Sequence, residues 1–286
     1  MTTPGPDADL HVHTTASDGT CSVDDRVDQA AEHDLEAIAI TDHDCISESL
    51  TEREETRRGI DLITGVEIRA DLFETKVELL GYFVDPTNEM LTDVLSRARG
   101  FRRERNRKLV SNLADATGLN LSYAALAEEA DGALGRPHLA ELLVEEGLVD
   151  SIGEAFDEYL GTDGDVYVAM ERLPYQEVLG AIHDAGGVAS LAHPGRVRSG
   201  RVPEMVRTLA DAGLGGIEVW YPYDAGGPDA YADIGVPEAE NLAAEHGLLR
   251  TGGSDCHGPG SGKFRIGEVG VTHEDLETLR DAADVA

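Results

Sequence analysis

The sequence of 286 residues predicts an α/β fold, a TIM-like barrel of about seven strand–helix units that carries a helical insert. Three observations predict it. Short apolar runs alternate with amphipathic helical patterns along most of the chain. Histidines and carboxylates follow several of these runs, at the strand ends where α/β barrels place their chemistry. Between residues 89 and 165 the pattern is helical throughout, which indicates an insert between two parts of the barrel.

The amino-acid composition indicates whether the chain can form a globular core and whether it could enter a membrane. Hydrophobic residues make up 41% of the chain, which is enough for a buried core. Because no apolar run reaches about 18 residues, we expect no membrane span and no membrane partner. Residues 1–8 lack the basic start and the apolar stretch of a signal peptide, so we expect a cytoplasmic protein.

The charge is strongly negative. The chain has 56 acidic and 23 basic residues, a formal net charge of −33, and its only lysines are Lys76, Lys108 and Lys263. Because the acids are spread along the chain, their mutual repulsion has to be screened by salt. This favours a halophilic protein over an ordinary acidic one. We expect no stable binding of duplex nucleic acid, although a metal cluster and a few arginines can still attract an anionic substrate.

The segment 9–20 contains the first strand of the predicted barrel and the first pair of residues that could bind a metal ion. His11 and His13 alternate with apolar residues, so in a strand both imidazoles point to the same side. Asp9 could orient His11, and the turn that contains Asp18 brings a carboxylate back over the strand end. A lone His-x-His is more often accidental than functional, but later segments repeat the same chemistry.

The other elements of the first half follow in order. We expect a helix at 22–34, a strand at 36–41, a charged helix at 47–58, and strands at 60–68 and 77–84. His43 is the second residue after the strand at 36–41. Glu67 and Glu78 are acids inside apolar strands, where an unpartnered carboxylate is costly, so a metal partner is the economical explanation.

The helical insert is predicted at 89–165, between barrel segments 9–88 and 166–286. Its helices are expected at 90–115, 121–130, 136–145 and 151–160. The first helix contains a basic run between Arg97 and Lys108, the one strongly positive segment of the chain. Two interpretations of this run stay open: a solvated face paired with neighbouring acids, or a surface that attracts substrate.

Strand–helix alternation resumes after the insert. We expect helices at 175–185, 203–212 and 237–246, strands at 188–192, 216–220 and 248–254, a loop at 221–236, and a last helix from 272. His193 directly follows the first of these strands, and Arg196 comes three residues later. Asp255 and His257 directly follow the last strand.

The candidate metal ligands are imidazoles or carboxylates, and most follow a predicted strand. They are His11, His13, Asp18, His43, Glu67, Glu78, His193, Asp255 and His257. This set exceeds the need of one ion, so we expect two or three divalent ions bridged by shared carboxylates, and the donor types suit Mn²⁺, Fe²⁺ or Zn²⁺. The 3 cysteines are too few and too scattered for a disulfide framework or a thiolate zinc site.

Several motifs, taken in order, resemble those of a known family. They are Asp-Leu-His-Val-His-Thr with Ser-Asp-Gly-Thr, Ile-Thr-Asp-His-Asp, Gly-Val-Glu-Ile, Leu-Ala-His-Pro-Gly-Arg and Gly-Ser-Asp-Cys-His-Gly. Over residues 9–270 this series resembles the PHP (polymerase and histidinol phosphatase) metal-dependent phosphoesterases. The insert motif Gly-Arg-Pro-His-Leu-Ala is similar to the branch that contains nucleoside 3′,5′-bisphosphate phosphatases and a 5′→3′ exoribonuclease acting on short RNA.

The resemblance implies a distorted seven-stranded (β/α) barrel with a trinuclear site, usually of manganese, iron or zinc. It assigns His11, His13, Glu67 and Asp255 to one ion, Glu67, His193 and residue 78 to a second, and Asp18, His43 and His257 to a third. Position 78 departs from the branch, which normally has a histidine where this chain has glutamate. A carboxylate can still bind an ion but adds negative charge, which leaves the identity of the second ion open.

The expected function is hydrolysis of a phosphate ester in a small nucleotide or at the end of a short oligoribonucleotide. The expected catalytic residues are Asp18, His43, Glu67, His193 and Asp255. Arg136 and Arg196 are expected to grip phosphate through bidentate contacts. His138 is expected to contact phosphate or to protonate the leaving oxygen, with a helix cap or core position as the alternative.

Two other functions stay open at this point. One is histidinol-phosphate phosphatase, against which the insert motif speaks by resemblance. The other, from a different class, is a non-catalytic metal-binding or partner-docking module. An inactive relative is expected to have lost ligands, whereas this chain departs from the family pattern only at Glu78. The oligomeric state is left open.

Overall fold

This computed structural model describes residues 5–129, 134–161, 164–223, 232–259, 261 and 265–285. Two compact units divide the chain: Met1–Ala98 together with Arg172–Ala286, and Arg99–Glu171. The first unit contains the sheet. Its strands are β1 (Ala8–Val12), β2 (Ala37–Ile40), β3 (Glu54–Arg57), β4 (Ile60–Leu72), β5 (Thr75–Tyr82), β6 (Leu173–Pro174), β7 (Val188–Leu191), β8 (Gly216–Trp220) and β9 (Leu249–Gly252).

The strands follow the order β1-β2-β4-β5-β7-β8-β9, with β3 and β6 paired to β4 beside this path. The segment after β9 returns to β1, where Val12 bridges to Cys256 and the His13 amide donates to the Cys256 carbonyl at 3.0 Å. These contacts nearly close the sheet into a barrel. The predicted fold class, a distorted seven-stranded α/β barrel, is therefore confirmed.

The distortion of the barrel lies at β5. This strand runs antiparallel to both neighbours, β4 and β7, whereas the β1–β2, β2–β4, β7–β8 and β8–β9 pairs are parallel. β4 and β5 form a hairpin with no helix between them, and β4 extends to Leu72, beyond the predicted strand end at residue 68. Arg69 and Glu78 are therefore brought opposite each other across the hairpin.

The charged helix expected at 47–58 is wrong. Glu54–Arg57 instead forms β3, an antiparallel partner of β4, and the stretch before it is irregular. The physical reason is that Leu50 is the one apolar residue of the stretch, so a helix there would have no apolar face to bury. An edge strand obtains backbone hydrogen bonds from β4, and its half-buried charged side chains form ion pairs, as Glu54 does with Arg280.

Helices cover the outside of the barrel: α1 (Val23–Glu32), α6 (Tyr175–Asp184), α7 (Val202–Asp211), α8 (Val236–His246) and α9 (His273–Val285). A capping box between Ser22 and Asp25 starts α1, whose Val27 packs with Ile38 and Ile40 of β2. The alternate β2 residues, the alanines at 37 and 39, belong to a second cluster with Leu10 and Tyr82. Burial of both faces explains why β2 is a continuous apolar run.

The second unit is helical. It holds most of α2 (Glu89–Thr117), α3 (Tyr123–Glu129), α4 (Arg136–Glu145), α5 (Ile152–Ala155) and a π-helical turn at Phe156–Leu160. Leu109, Leu113, Leu139 and Leu143 contribute to its own apolar core. The helix expected at 151–160 is thus divided into α5 and the π turn, and residue 130 of the predicted second helix lies outside the described residues.

Helix length and hydropathy also bear on membrane insertion. Within the described ranges, no helix is both long enough and apolar enough to cross a bilayer.

Candidate metal centre

The structure brings the nine predicted ligands together at one end of the barrel. Their side-chain donor atoms fall into four overlapping groups, and within each group these atoms lie within 4.8 Å of one another. The groups are His13, Asp18, His43 and His257; His11, His13 and Asp255; His11, Glu67 and His193; and His43, Glu67 and Glu78. The overlaps make one continuous cluster.

Glu67 of β4 lies at the middle of this cluster. Its Oε2 atom is 2.8 Å from Nδ1 of His43 and 3.5 Å from Nε2 of both His11 and His13, and its Oε1 atom is 2.9 Å from Nε2 of His193. Burial opposes ionisation of this carboxyl, but the adjacent rings of His43 and His11 hold its pKa well below the usual range. A carboxylate so placed can be shared between ions.

Two further carboxylates complete the cluster. Asp255 Oδ1 lies 3.3 Å from His13 Nε2, and Asp18 Oδ1 lies 3.3 Å from His257 Nε2. The His257 Nδ1 atom is 2.8 Å from the Asp255 carbonyl oxygen, so Nδ1 carries the proton and Nε2 is left as a donor atom for a metal. Burial opposes ionisation of Asp18, but His43 and His257 lower its pKa, which keeps it ionised.

The hydrogen bonding of the buried nitrogen and oxygen atoms shows whether these side chains fit metal ions. In the part of the chain that the structure describes, His11 Nε2, both ring nitrogens of His13 and Glu67 Oε2 are buried without a hydrogen bond. Such atoms are costly unless another partner binds them. Burial, with the adjacent His257 ring, lowers the pKa of His13 to about 3, so this imidazole is neutral, as a metal ligand must be. The residues therefore fit divalent ions.

Glu218 is a residue of the site that the sequence analysis did not include. It is fully buried in β8, its Oε1 atom lies 2.8 Å from His11 Nδ1, and its Oε2 atom accepts from the His193 amide at 2.6 Å. Asp9, which was expected to orient His11, accepts from the backbone amides of His11 and Ser254, and the contact with the His11 ring is made by Glu218. The sequence does contain a signal for Glu218, because it is an acid inside an apolar strand, as Glu67 is.

Two other residues of the site, Asp42 and Tyr221, were also not predicted from the sequence. The Asp42 carboxylate accepts from Thr14 through both its amide, at 2.8 Å, and its hydroxyl, at 2.6 Å, and from the Ser17 hydroxyl at 2.5 Å. It thereby holds the turn that leads to Asp18. The Tyr221 hydroxyl donates to Asp255 Oδ2 at 2.8 Å, and nothing local in the sequence distinguishes this tyrosine from its loop neighbours.

Glu78 has a different environment from the other candidate ligands. Its Oε1 atom accepts from Arg69 Nε at 2.7 Å, and its Oε2 atom accepts from Lys76 Nζ at 2.6 Å. The same Oε2 atom lies 3.7 Å from Nε2 of His193. Glu78 thus faces the cluster while paired to two cations.

Arg196 lies beside the cluster, in the short 3₁₀ turn Pro194–Arg196 that follows His193. Its guanidinium carbon is 5.7 Å from the ring centre of Tyr221 and 5.6 Å from that of Tyr223. The guanidinium also donates to the Tyr223 carbonyl at 2.9 Å. Arg196 is therefore held next to the tyrosine that binds Asp255.

Arg136 and His138 belong to the helical unit. The Arg136 guanidinium donates to the Leu160 carbonyl at 3.2 Å and lies over the Phe156 ring at 5.5 Å. Nδ1 of His138 accepts from the Gly135 amide at 3.0 Å, which is the helix-capping contact weighed as the alternative for this residue. Contact of either side chain with substrate stays a prediction.

Comparison with known proteins agrees with this arrangement. Residues 9–198 match the family model described as the PHP domain. The chain is 33% identical to the 3′,5′-nucleoside bisphosphate phosphatase of Chromobacterium violaceum, with 95% of this chain and 93% of that protein covered. It is 32% identical to the 5′–3′ exoribonuclease of Haemophilus influenzae, with coverages of 88% and 90%.

Solved structures show the same likeness. A candidate metal-dependent phosphoesterase from Bifidobacterium adolescentis superposes with a TM-score of 0.79 at 27% identity, covering 98% of this chain and 97% of that one. The match to the family model takes in most of the predicted ligands, and the barrel brings the remaining two, Asp255 and His257, to the same cluster. The chain therefore belongs to the PHP domain family.

Proposed function

We propose that this protein is a metal-dependent phosphoesterase that hydrolyses phosphate esters of small nucleotides, such as a nucleoside 3′,5′-bisphosphate, or the 5′ ends of short oligoribonucleotides. The observation that carries the proposal is the cluster of imidazoles and carboxylates around Glu67. The named relatives support the substrate class, since one acts on nucleoside bisphosphates and another is an exoribonuclease.

The resemblance to the PHP family implies three ligand sets, all drawn from the side chains that cluster at the barrel end. We assign His11, His13, Glu67 and Asp255 to one ion, Glu67, His193 and Glu78 to another, and Asp18, His43 and His257 to a third. The mixture of imidazole and carboxylate suits manganese, iron or zinc. When bound, such ions lower the pKa of a coordinated water to about 7 and neutralise charge on phosphoryl oxygens.

The chain's own residues prepare the site for that chemistry. Glu218 keeps the proton of His11 on Nδ1, so that Nε2 faces Glu67. Asp42 holds the turn before Asp18, and Tyr221 fixes one oxygen of Asp255 and leaves the other beside His13. These contacts hold the ligands in place before substrate arrives, so little reorganisation is needed during the reaction.

The remaining proposed residues bind substrate. Arg196, next to His193, is proposed to contact the phosphoryl group being transferred, because a guanidinium matches phosphate oxygens in a bidentate manner. Arg136 is proposed to contact a second phosphate, and His138 a phosphate or the leaving oxygen. Their capping and packing contacts hold both side chains within the helical unit.

A substrate panel tests the proposal. Protein loaded with Mn²⁺ is incubated with a nucleoside 3′,5′-bisphosphate, 5′-phosphorylated oligoribonucleotides and histidinol phosphate, and released phosphate and nucleotide are measured. We expect hydrolysis of the bisphosphate or the oligoribonucleotides, and none by the Glu67→Gln variant. Preference for histidinol phosphate would favour that alternative, and metal binding without hydrolysis of any substrate would favour a non-catalytic module.

A further inference from the structure

The β4–β5 hairpin carries a charge arrangement that the hydrolytic reaction does not require. The Glu78 side chain is 5% exposed, and each of its oxygens is paired with a different cation, Arg69 or Lys76. Arg69 lies opposite Glu78 in the hairpin register, and Lys76 precedes Glu78 by two residues on the same strand face. The register places Arg69 at this carboxylate, and the two-residue repeat of the strand places Lys76 there.

One oxygen of Glu78 has two possible partners. Oε2 is 2.6 Å from Lys76 Nζ and 3.7 Å from His193 Nε2, and that ring nitrogen is 2.9 Å from Glu67 Oε1. An ion held by Glu67, His193 and Glu78 would use the oxygen that the ammonium group occupies. An ammonium group and a divalent ion on one buried carboxylate oxygen repel each other strongly, because the surroundings screen charge poorly.

The two cations differ in how readily they can leave. The Arg69 side chain is 19% exposed and bonds to Oε1, away from His193, whereas the Lys76 side chain is 47% exposed. A lysine ends in a strongly hydrated ammonium on a flexible stem, so Lys76 can move into water while Arg69 stays. Arg69 is then a positioning residue for Glu78, and Lys76 is an exchangeable partner.

We propose that Lys76 competes with a divalent ion for Glu78 Oε2, so that the ion held by Glu67, His193 and Glu78 is the weakest-bound and most readily exchanged ion of the centre. The inference rests on the ligand sets of the proposed function. It explains how a glutamate is accommodated at this position: the lysine neutralises the carboxylate whenever the ion is absent.

This competition can be tested by titrating the metal-stripped protein with Mn²⁺. Isothermal titration calorimetry and equilibrium dialysis measure the affinity of each binding step. For the wild type we expect a last binding step weaker than the others. In Lys76→Met that step should strengthen about ten- to a hundredfold, as expected when a charge-assisted contact no longer competes. Lys108→Met is the matched control, since Lys108 pairs with Glu104 on an exposed helix face, and it should leave every step unchanged.

A double-mutant comparison identifies Glu78 as the shared partner. In a Glu78→Gln background, Lys76→Met should no longer strengthen the last binding step, because there is no carboxylate for which the lysine and the ion can compete. An effect that persists there, or an unchanged last step in Lys76→Met, overturns the competition. Equally strong steps in the wild type also overturn it while leaving the proposed function intact, whereas no Mn²⁺ binding at all overturns both.

Discussion

Glu218 is the residue on which two candidate ligands depend. It holds the ring of His11 through one oxygen and the amide of His193 through the other. The His193 backbone has a φ of 25°, a conformation that a residue with a side chain rarely adopts and that the hydrogen bond from its amide helps to maintain. A single buried carboxylate thus sets both the tautomer of one imidazole and the backbone conformation of another.

We predict that Glu218→Gln weakens metal binding by about ten- to a hundredfold, the usual effect of losing a partner that orients a ligand. An amide cannot replace the charged acceptor at both contacts. Equilibrium dialysis against Mn²⁺ measures the change. Glu240→Gln is the control, because Glu240 is exposed and lies 3.9 Å from its partner Arg250. Equal affinities in the two variants would show that Glu218 has no orienting role.

We predict that Arg196→Ala lowers turnover by about ten- to a hundredfold on every phosphoester, because a charge-assisted contact to the reacting phosphoryl group is lost. Arg136→Ala should instead raise KM, and more for a bisphosphate than for a monophosphate. Steady-state kinetics on both substrate types separate the two effects.

Arg201→Ala controls for the loss of a guanidinium in the same region of the chain, since Arg201 is exposed and pairs with Glu204 at 2.9 Å. If Arg136→Ala left the preference between mono- and bisphosphates unchanged, the proposed contact of Arg136 with a second phosphate would be wrong.

At the scale of elements, α1 supports the closure of the barrel through Arg26. This side chain is fully buried, and its guanidinium donates to the His13 carbonyl at 2.9 and 2.8 Å and to the Cys256 carbonyl at 3.3 Å. The two carbonyls belong to the end of β1 and to the segment after β9, where the sheet closes. Arg26 therefore joins the first and last parts of the barrel directly beneath the candidate ligands.

We predict that Arg26→Met lowers the free energy of unfolding by about 3 kcal/mol, because buried carbonyls lose a charged donor that a thioether cannot replace. Urea denaturation monitored by circular dichroism in high salt measures it. Arg58→Met, which removes an exposed guanidinium paired with Asp24 and Asp28, should change the free energy by less than about 1 kcal/mol. Similar losses in both variants would argue against this role in closure.

The whole molecule carries a net charge of −33, and several of its acids converge on the candidate metal centre. Self-repulsion at this charge opposes the compact state and weakens as the Debye length falls to about 3 Å at 1 M salt. Divalent ions bound at the centre would relieve part of the repulsion locally. The two contributions can be separated because screening depends on ionic strength and site binding on the ion.

We predict that the protein unfolds as KCl is withdrawn, and that Mn²⁺ restores part of the structure at constant ionic strength. Circular dichroism across a KCl series, with and without chelator, measures both effects. NaCl at matched ionic strength is the control and should act like KCl if screening is the cause. Full structure in dilute buffer without divalent ions would contradict the halophilic interpretation.

Sequence and structure agree most closely where the relevant physics is local. Alternation in the first strand places His11 and His13 on one side, and apolar runs that end in polar residues locate β2 and β7. The arrangement of strands in space is less local. The antiparallel course of β5 and the strand at Glu54–Arg57 both depend on hydrogen bonds to β4, which no pattern within their own residues reveals.

The kind of chemistry can be inferred from the order of residues alone, because imidazoles and carboxylates recur at strand ends whatever the details of the sheet. The groups that meet become known from the folded chain: Glu218 contacts His11 and His193, and Glu78 contacts Arg69 and Lys76. The physical reason is that the fold, and not the strand's own residues, supplies the partner. A carboxylate in an apolar strand shows that a partner is needed, but closure of the barrel brings Glu218 to His11, two strands away, and the β4–β5 register brings Arg69 opposite Glu78.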